Sequence, residues 1–266
     1  MVSLGKPIAL GRTAEIYPWK EGQILKLSRD WVPADWVEYE ARIARAVHAA
    51  GLPVPACGEI VEVDGRVGLI YERVDGVSMA ETAKAKPWTL FRFARLLAEL
   101  QADMHASPVV PELPSQRQRL ENKIQTAKAL PFRLKEAALS ALAKMPDGVQ
   151  LCHGDFHPDN ILLTSRGPVI IDWTDATRGV PLADVARTSV LLWGMAACES
   201  SIGWLLKGLI HWFHPVYLKH YFRLRASEDR QQLSTWQSIV AAARLSENIS
   251  EQQDWLLAKV KAGFDN

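Results

Sequence analysis

Residues 150 to 175 concentrate the side chains of this chain that can handle phosphate. His153-Gly154-Asp155 opens the segment, Asn160 follows the aspartate by five residues, and Asp172 lies twelve residues beyond Asn160. Moving a phosphoryl group from ATP to a hydroxyl needs a carboxylate aimed at the acceptor, oxygen ligands for magnesium and a cation on the donor phosphates. This order and spacing meet the first two needs. Asp155 accepts the hydroxyl proton and Asn160 turns back toward the metal. Asp172 closes the apolar run Val169-Ile-Ile, where a strand-end carboxylate can hold the ion between phosphates. The competing reading makes Asp155 and Asn160 plain loop hydrogen-bonding residues. A lone His-Gly-Asp would favour it; four groups in order and spacing do not.

The elements that must position these groups change character along the chain. Up to about residue 75 the sequence is punctuated like a sheet. Ile8-Ala-Leu and Glu15-Ile-Tyr flank a turn at Gly11, Ile24-Leu-Lys-Leu follows Glu21-Gly22, and Asp64-Gly65 joins Val61-Glu-Val63 to Val67-Gly-Leu69 as a type I′ hairpin. One helix interrupts the strands, from roughly Pro33 to Ala50, with Gly51 at its C-cap and Pro53 and Pro55 barring continuation. After Gly76 long amphipathic helices take over, with Leu90, Phe93, Leu97, Leu100 and Met104, then Trp236, Ile239, Val240 and Ala243, at helical spacing. The expected organisation is a β-rich N-lobe over 1–75 and a mainly helical C-lobe over 76–266, two unequal lobes sharing a cleft.

The segment His153-Gly-Asp-Phe-His-Pro-Asp-Asn-Ile-Leu with Ile171-Asp-Trp-Thr-Asp-Ala resembles the signatures of the aminoglycoside phosphotransferase and choline kinase family. The resemblance is strong over about 150–190 and extends plausibly over 5–80. It implies an α+β, protein-kinase-like bilobal fold, with one helix in the small N-lobe, and ATP- and Mg2+-dependent phosphorylation of a small molecule. By this likeness Asp155 is the catalytic base, and Asn160 and Asp172 are the magnesium ligands. A strand lysine on the α/β-phosphates and a helix glutamate that holds it are also implied. Lys26 points away from Leu25 and Leu27, and Glu40 shares a stripe with Trp36, Ile43 and Val47, whereas Glu38 falls with Arg42 and Arg45. A Lys26–Glu40 ion pair is therefore expected. The phosphate-covering turn would be Leu10 to Ile16, with Gly11 bending the chain and Thr13 and backbone amides on phosphate; an ordinary hairpin turn is the equal alternative. Backbone groups of about Glu72 and Val74 would meet the adenine edge.

Other residues carry less. His153 and His157 read as loop-orienting groups, Asp175 as a candidate for the acceptor site, and Asp184 as the cap of the helix at Val185. Glu247, Glu251 and Asp254 read as a solvated helix face, with an acidic pocket for a cationic acceptor as the alternative. The ten tryptophans read mainly as core anchors. A protein substrate is disfavoured, because Trp-Thr follows Asp172 and Gly179-Val-Pro181 arrives too soon for an activation loop.

Composition agrees with this reading. Hydrophobic residues at 48% and charged residues at 23% are ordinary for a globular chain, and a formal charge of +1 gives no long-range field for recruiting nucleic acid or an acidic membrane. The apolar stretch from Val190 to Phe213 is broken by Glu199 and Lys207 and reads as core helix. Cys57, Cys152 and Cys198 lack metal spacing, and the first residues lack a signal-peptide core, which together suit a cytoplasmic chain. The expected partner is a small-molecule hydroxyl acceptor, without nucleic acid or membrane. The competing class is a catalytically silent nucleotide-binding pseudokinase or scaffold.

Overall fold

The computed structural model describes residues 4–108, 110–197 and 203–264, so that Cys198 and Glu199 lie outside the described residues. The chain begins with strands β1 (Ala9–Leu10), β2 (Ala14–Pro18) and β3 (Gln23–Ser28), then helix α1 (Ala34–Ala49) and strands β4 (Cys57–Val63), β5 (Arg66–Glu72) and β6 (Val77–Ser78). Helices α2 (Met79–Ala85), α3 (Leu90–Ala106), α4 (Gln116–Thr126) and α5 (Phe132–Lys144) follow. Then come β7 (Gln150–Cys152), the hairpin of β8 (Ile161–Thr164) and β9 (Gly167–Ile170), and β10 (Thr177–Gly179). Helices α6 (Pro181–Ala197), α7 (Gly203–Leu224), α8 (Leu233–Arg244) and α9 (Gln253–Phe264) come last. Among the described residues, no helix is long and apolar enough to cross a membrane.

Two compact units result, Met1–Met79 with Asp159–Thr174, and Ala80–Pro158 with Asp175–Asn266. This differs from a division at residue 75/76, since residues 159–174 pack with the first unit. The reason is pairing: Val77 of β6 lies opposite Leu163 of β8, and the Ile170 amide donates to the Pro53 carbonyl at 2.9 Å. Short-range sequence pattern carries no signal for such partners.

The first unit is built on an antiparallel sheet of order β1-β2-β3-β5-β4. Asp64 and Gly65 join β4 to β5 with φ of 52° and 77°, both left-handed as a type I′ turn requires. Leu25 and Leu27 of β3 are buried with Val63 and Ile70 on one side of the sheet. Helix α1 packs Val37 and Ala41 against Leu69, and Gly51, at φ 81°, ends it.

The second unit is helical around α6, which is buried on almost every side from Pro181 to Leu192. A helix in that position must find partners for every polar side chain it carries, because an unpaired buried polar group is costly. Asp184, Arg187, Thr188 and Ser189 are those side chains. Their partners shape the chemistry of this unit. Trp236, Ile239, Val240 and Ala243 of α8 are all buried, as their spacing predicts.

Candidate active site

The first unit brings Lys26, Glu40 and Asp172 together. Strand alternation sends Lys26 to the face opposite Leu25 and Leu27, where its Nζ lies 2.8 Å from Glu40 Oε1 and 3.3 Å from Asp172 Oδ1. The Lys26 side chain is 19% exposed. Burial by itself would favour the neutral amine, but the Asp172 and Glu40 carboxylates hold it charged, above the ordinary lysine range. Glu40 also accepts from the Tyr71 hydroxyl at 2.8 Å, a partner that sequence reasoning missed. Glu38 is exposed, as its stripe predicts. Trp36 is not on the buried stripe: it is 48% exposed, and Val37 and Ala41 take the inner positions. The stripe drawn through Trp36 is off by one residue at the first turn, where Val37 is the residue that meets Leu69 of the sheet.

The hairpin of β8 and β9 places the two expected metal ligands. Ile161 pairs with Ile170, and the Ile171 amide donates to the Asn160 carbonyl at 3.0 Å. Asn160 and Asp172 therefore flank the same end of the hairpin. Asp172 has φ of 61°, a left-handed conformation that costs a non-glycine residue about 1 kcal/mol or more. Its Oδ1 accepts from the Thr174 hydroxyl at 3.1 Å. Two hard oxygen side chains, with phosphate and water completing the shell, match the way magnesium is held. Among the described residues, no group of three or more His, Cys, Asp or Glu side chains could hold a metal by itself.

The turn after β1 is closed by the Gly11 amide on the Ala14 carbonyl at 2.8 Å. A Cβ at Gly11 would sit 3.1 Å from that oxygen, a tight contact that a side chain there would have to relieve by shifting the turn. Arg29 ties the turn from below, its amide on the Thr13 carbonyl at 2.9 Å and its guanidinium on the Gly11 carbonyl at 3.2 Å. The Gly11 amide is thus committed within the turn, and Arg12 is exposed. At the far end of β5 the Glu72 amide donates to the Ala56 carbonyl at 2.9 Å, so it is not available to an adenine ring. That leaves the Glu72 carbonyl and the Val74 backbone as the expected contacts.

Asp155 belongs to the second unit. Gly154, at φ 79°, makes the bend before it, and a Cβ there would fall 2.3 Å from the Asp175 carbonyl oxygen. Only glycine fits that bend. Buried Asp184 accepts from the Gly154 amide at 2.7 Å, from Gln101 at 2.9 Å, and bonds His105 at 3.2 Å. It clamps the loop rather than capping a helix. Burial would raise its carboxyl, but His105, Gln101 and the Gly154 amide hold it low. Fully buried His153 accepts from the Asp155 amide through Nδ1 at 3.2 Å.

The Asp155 carboxylate lies 3.4 Å from His157 Nε2 and 3.4 Å from Arg187. Burial would raise its pKa, yet His157 and Arg187 pull it well below the usual carboxylate range. Arg187 also donates to the Gly154 carbonyl at 2.9 Å and to Glu247 at 2.8 Å. Glu247 further meets Arg244 at 2.8 Å and Lys123 at 3.3 Å. These cations hold it down to about 2 despite its burial. It does not belong to a solvated face, whereas Glu251 and Asp254 are exposed as expected. Asp175 pairs with Arg119 and Lys123, next to the same loop. Arg187 had a signal in the sequence, a cation inside the apolar run of α6. Glu247, Arg119 and Lys123 had none.

Comparison with known proteins bears on the family and the fold. A family model described as the phosphotransferase enzyme family matches residues 6–226. An aminoglycoside phosphotransferase, a thermostable mutant of APH(4)-Ia in its apo form, is 18% identical with a TM-score of 0.64, covering 98% of this chain and 93% of its own. A choline/ethanolamine kinase family protein from Mesorhizobium loti is 18% identical with a TM-score of 0.62, covering 98% and 88%. The amicoumacin kinase hAmiN, in complex with AMP-PNP, Ca2+ and Ami, is 16% identical with a TM-score of 0.62, covering 97% and 86%. At these identities the likeness shows the protein-kinase-like, α+β fold. The comparison with curated proteins gives no match. With the family model spanning most of its length, the chain belongs to the phosphotransferase enzyme family.

Proposed function

We propose that this chain moves the γ-phosphoryl group of ATP to a hydroxyl of a small molecule, with Asp155 as the base. The observation that carries the reading is Lys26 held between Glu40 and Asp172. A partly buried ammonium fixed by a helix carboxylate, and touching a carboxylate suited to a metal, is what donor phosphates need. Structures with similar folds hold AMP-PNP and hygromycin B, or ADP and hygromycin B, which supports a nucleotide and a small hydroxylated acceptor. In this reading the first unit supplies Lys26, Asn160 and Asp172 for the nucleotide, with Gly11, Thr13, Glu72 and Val74 around it, and the second supplies Asp155.

The acceptor oxygen attacks the γ-phosphorus, and the bond to the β,γ-bridging oxygen breaks with its electron pair leaving on ADP. The hydroxyl proton passes to Asp155, which His157 and Arg187 keep ionised at neutral pH. Its weak basicity suits a loose transition state, in which positioning matters more than proton affinity. Asn160 and Asp172 would hold magnesium, which when bound neutralises the β- and γ-phosphate oxygens. Free Cys57 and Cys152 fit a reducing, cytoplasmic setting.

The test is ADP release against aminoglycosides, amino alcohols, sugars and nucleosides, run with the unmodified chain and with Asp155→Asn. The variant should lose about 10³-fold in kcat while keeping Mg-ATP affinity. Near-normal turnover would remove Asp155 from the role of base. Mg-ATP binding without ADP release on any acceptor would favour the silent scaffold.

A further inference from the structure

A cavity of the second unit lies against the loop that carries the base, with Gln116, Arg119, Lys123, Gly154, Asp175 and Arg187 in its wall. Its charges are unevenly shared. Asp175 serves both Arg119 and Lys123, the latter at 3.5 Å. Glu247, just behind, serves Lys123 at 3.3 Å, Arg187 at 2.8 Å and Arg244 at 2.8 Å. Four cations thus meet three carboxylates, Asp155 included at 3.4 Å from Arg187, while Asp184 in the same wall is taken by His105 and Gln101. Arg119 and Lys123 stand one turn apart on α4, so their heads address the same side. Their side chains are 22% and 27% exposed, within reach of a ligand. Val240 and Ala243 of α8 close the cavity with apolar surface.

We propose that the acceptor carries a carboxylate or phosphate group near the hydroxyl that is phosphorylated, and that Arg119 and Lys123 hold this group. The proposal rests on the phosphotransferase reading and deepens it. A polycationic acceptor would have to strip arginine or lysine from each carboxylate and would set like charge against four cations. An anionic acceptor meets a guanidinium fork and an ammonium whose carboxylates are already shared. The apolar wall suits a carbon skeleton and adds no charge.

Calorimetric binding and ADP release with Mg-ATP, measured on the full chain with D-gluconate, glucose 6-phosphate, glucose and kanamycin, test this. Gluconate or glucose 6-phosphate should bind at least about tenfold tighter than glucose, with kanamycin weakest. Which of the two anions leads identifies the group as carboxylate or phosphate. Arg119→Gln with Lys123→Gln should erase the preference, and Arg119→Lys with Lys123→Arg should retain it. The second pair keeps the charge and so answers the question even if the first pair fails to fold. Binding of glucose or kanamycin as tightly as both anions overturns the proposal. So does a failure of both anions to bind, or a preference that survives in the folded double glutamine variant. The two readings fail separately. Kanamycin outpacing the anions in ADP release sinks the anionic acceptor and keeps the phosphotransferase. Anion binding without ADP release on any acceptor sinks the phosphotransferase reading and leaves Arg119 and Lys123 as an anion site only.

Discussion

Replacing Asp184 with alanine removes a carboxylate that is 1% exposed and holds three groups: the Gly154 amide at 2.7 Å, Gln101 at 2.9 Å and His105 at 3.2 Å. A helix cap is worth about 1 kcal/mol. Breaking a buried ionic hydrogen-bond cluster costs about 3–5 kcal/mol, because the abandoned donors stay dry. At about 2–4 °C per kcal/mol for a chain of this size, Asp184→Ala should lower Tm by roughly 6–20 °C. Asp184→Asn preserves shape but turns an amide toward a donor, at a cost of about 1–3 kcal/mol. The pH dependence gives an internal control. The folded carboxyl is depressed, so its contribution is present above the unfolded value of about 3.9 and is lost as pH falls through the folded value. The gap between the unmodified chain and the alanine variant should be full at pH 7 and narrow below about pH 4. Calorimetric melting or urea titration at both pH values reads this directly. A loss at pH 7 of about 1 kcal/mol or less would refute the clamp and return Asp184 to the role of a cap. Because Asp184 anchors the peptide before Asp155, kcat should fall with stability.

Three further outcomes follow from the site. Asp172→Ala should abolish measurable Mg-ATP binding in calorimetry, and unchanged nucleotide affinity would exclude Asp172 as the metal ligand. Tyr71→Phe removes one hydrogen bond to a carboxylate that Lys26 still holds, so KM for ATP should rise by about tenfold, on the order of 1.5 kcal/mol, with kcat nearly intact. A kcat collapse would give Tyr71 a direct part in the chemistry. Glu247, held down to about 2, contributes on the order of 3 kcal/mol that is present above about pH 4.5 and lost as pH falls toward 2. Glu247→Gln should therefore destabilise the chain at pH 7 and flatten its acid-unfolding slope; an unchanged slope between pH 4.5 and 2.5 would count against that network.

Local features with their own periodicity could be read from the chain directly. The alternation of Leu25, Lys26 and Leu27 determines which face Lys26 takes, because strand side chains repeat every two residues. Helical spacing turned Glu40 inward and Glu38 outward, and Asp64-Gly65 determined a turn that needs two left-handed residues. The order His153, Asp155, Asn160, Asp172 was enough to indicate phosphoryl transfer, since that chemistry asks for a few groups at set distances along two short segments. Trp36 marks where periodicity stops deciding, since its neighbour Val37 takes the buried place in the first turn of α1.

Tertiary structure decided what depends on partners far apart in sequence. Asp184 has the local look of a helix cap, yet Gln101 and His105, about eighty residues earlier, turn it into a loop clamp. Glu247 has the look of a solvated helix charge, yet Arg187 and Lys123 hold it in a network that reaches Asp155. The pairing of β6 with β8 moved residues 159–174 into the first unit, so Asn160 and Asp172 share a unit with Lys26 while Asp155 does not. A charge reports its own sign in sequence, but its solvation and its partner are set only when distant elements pack against it.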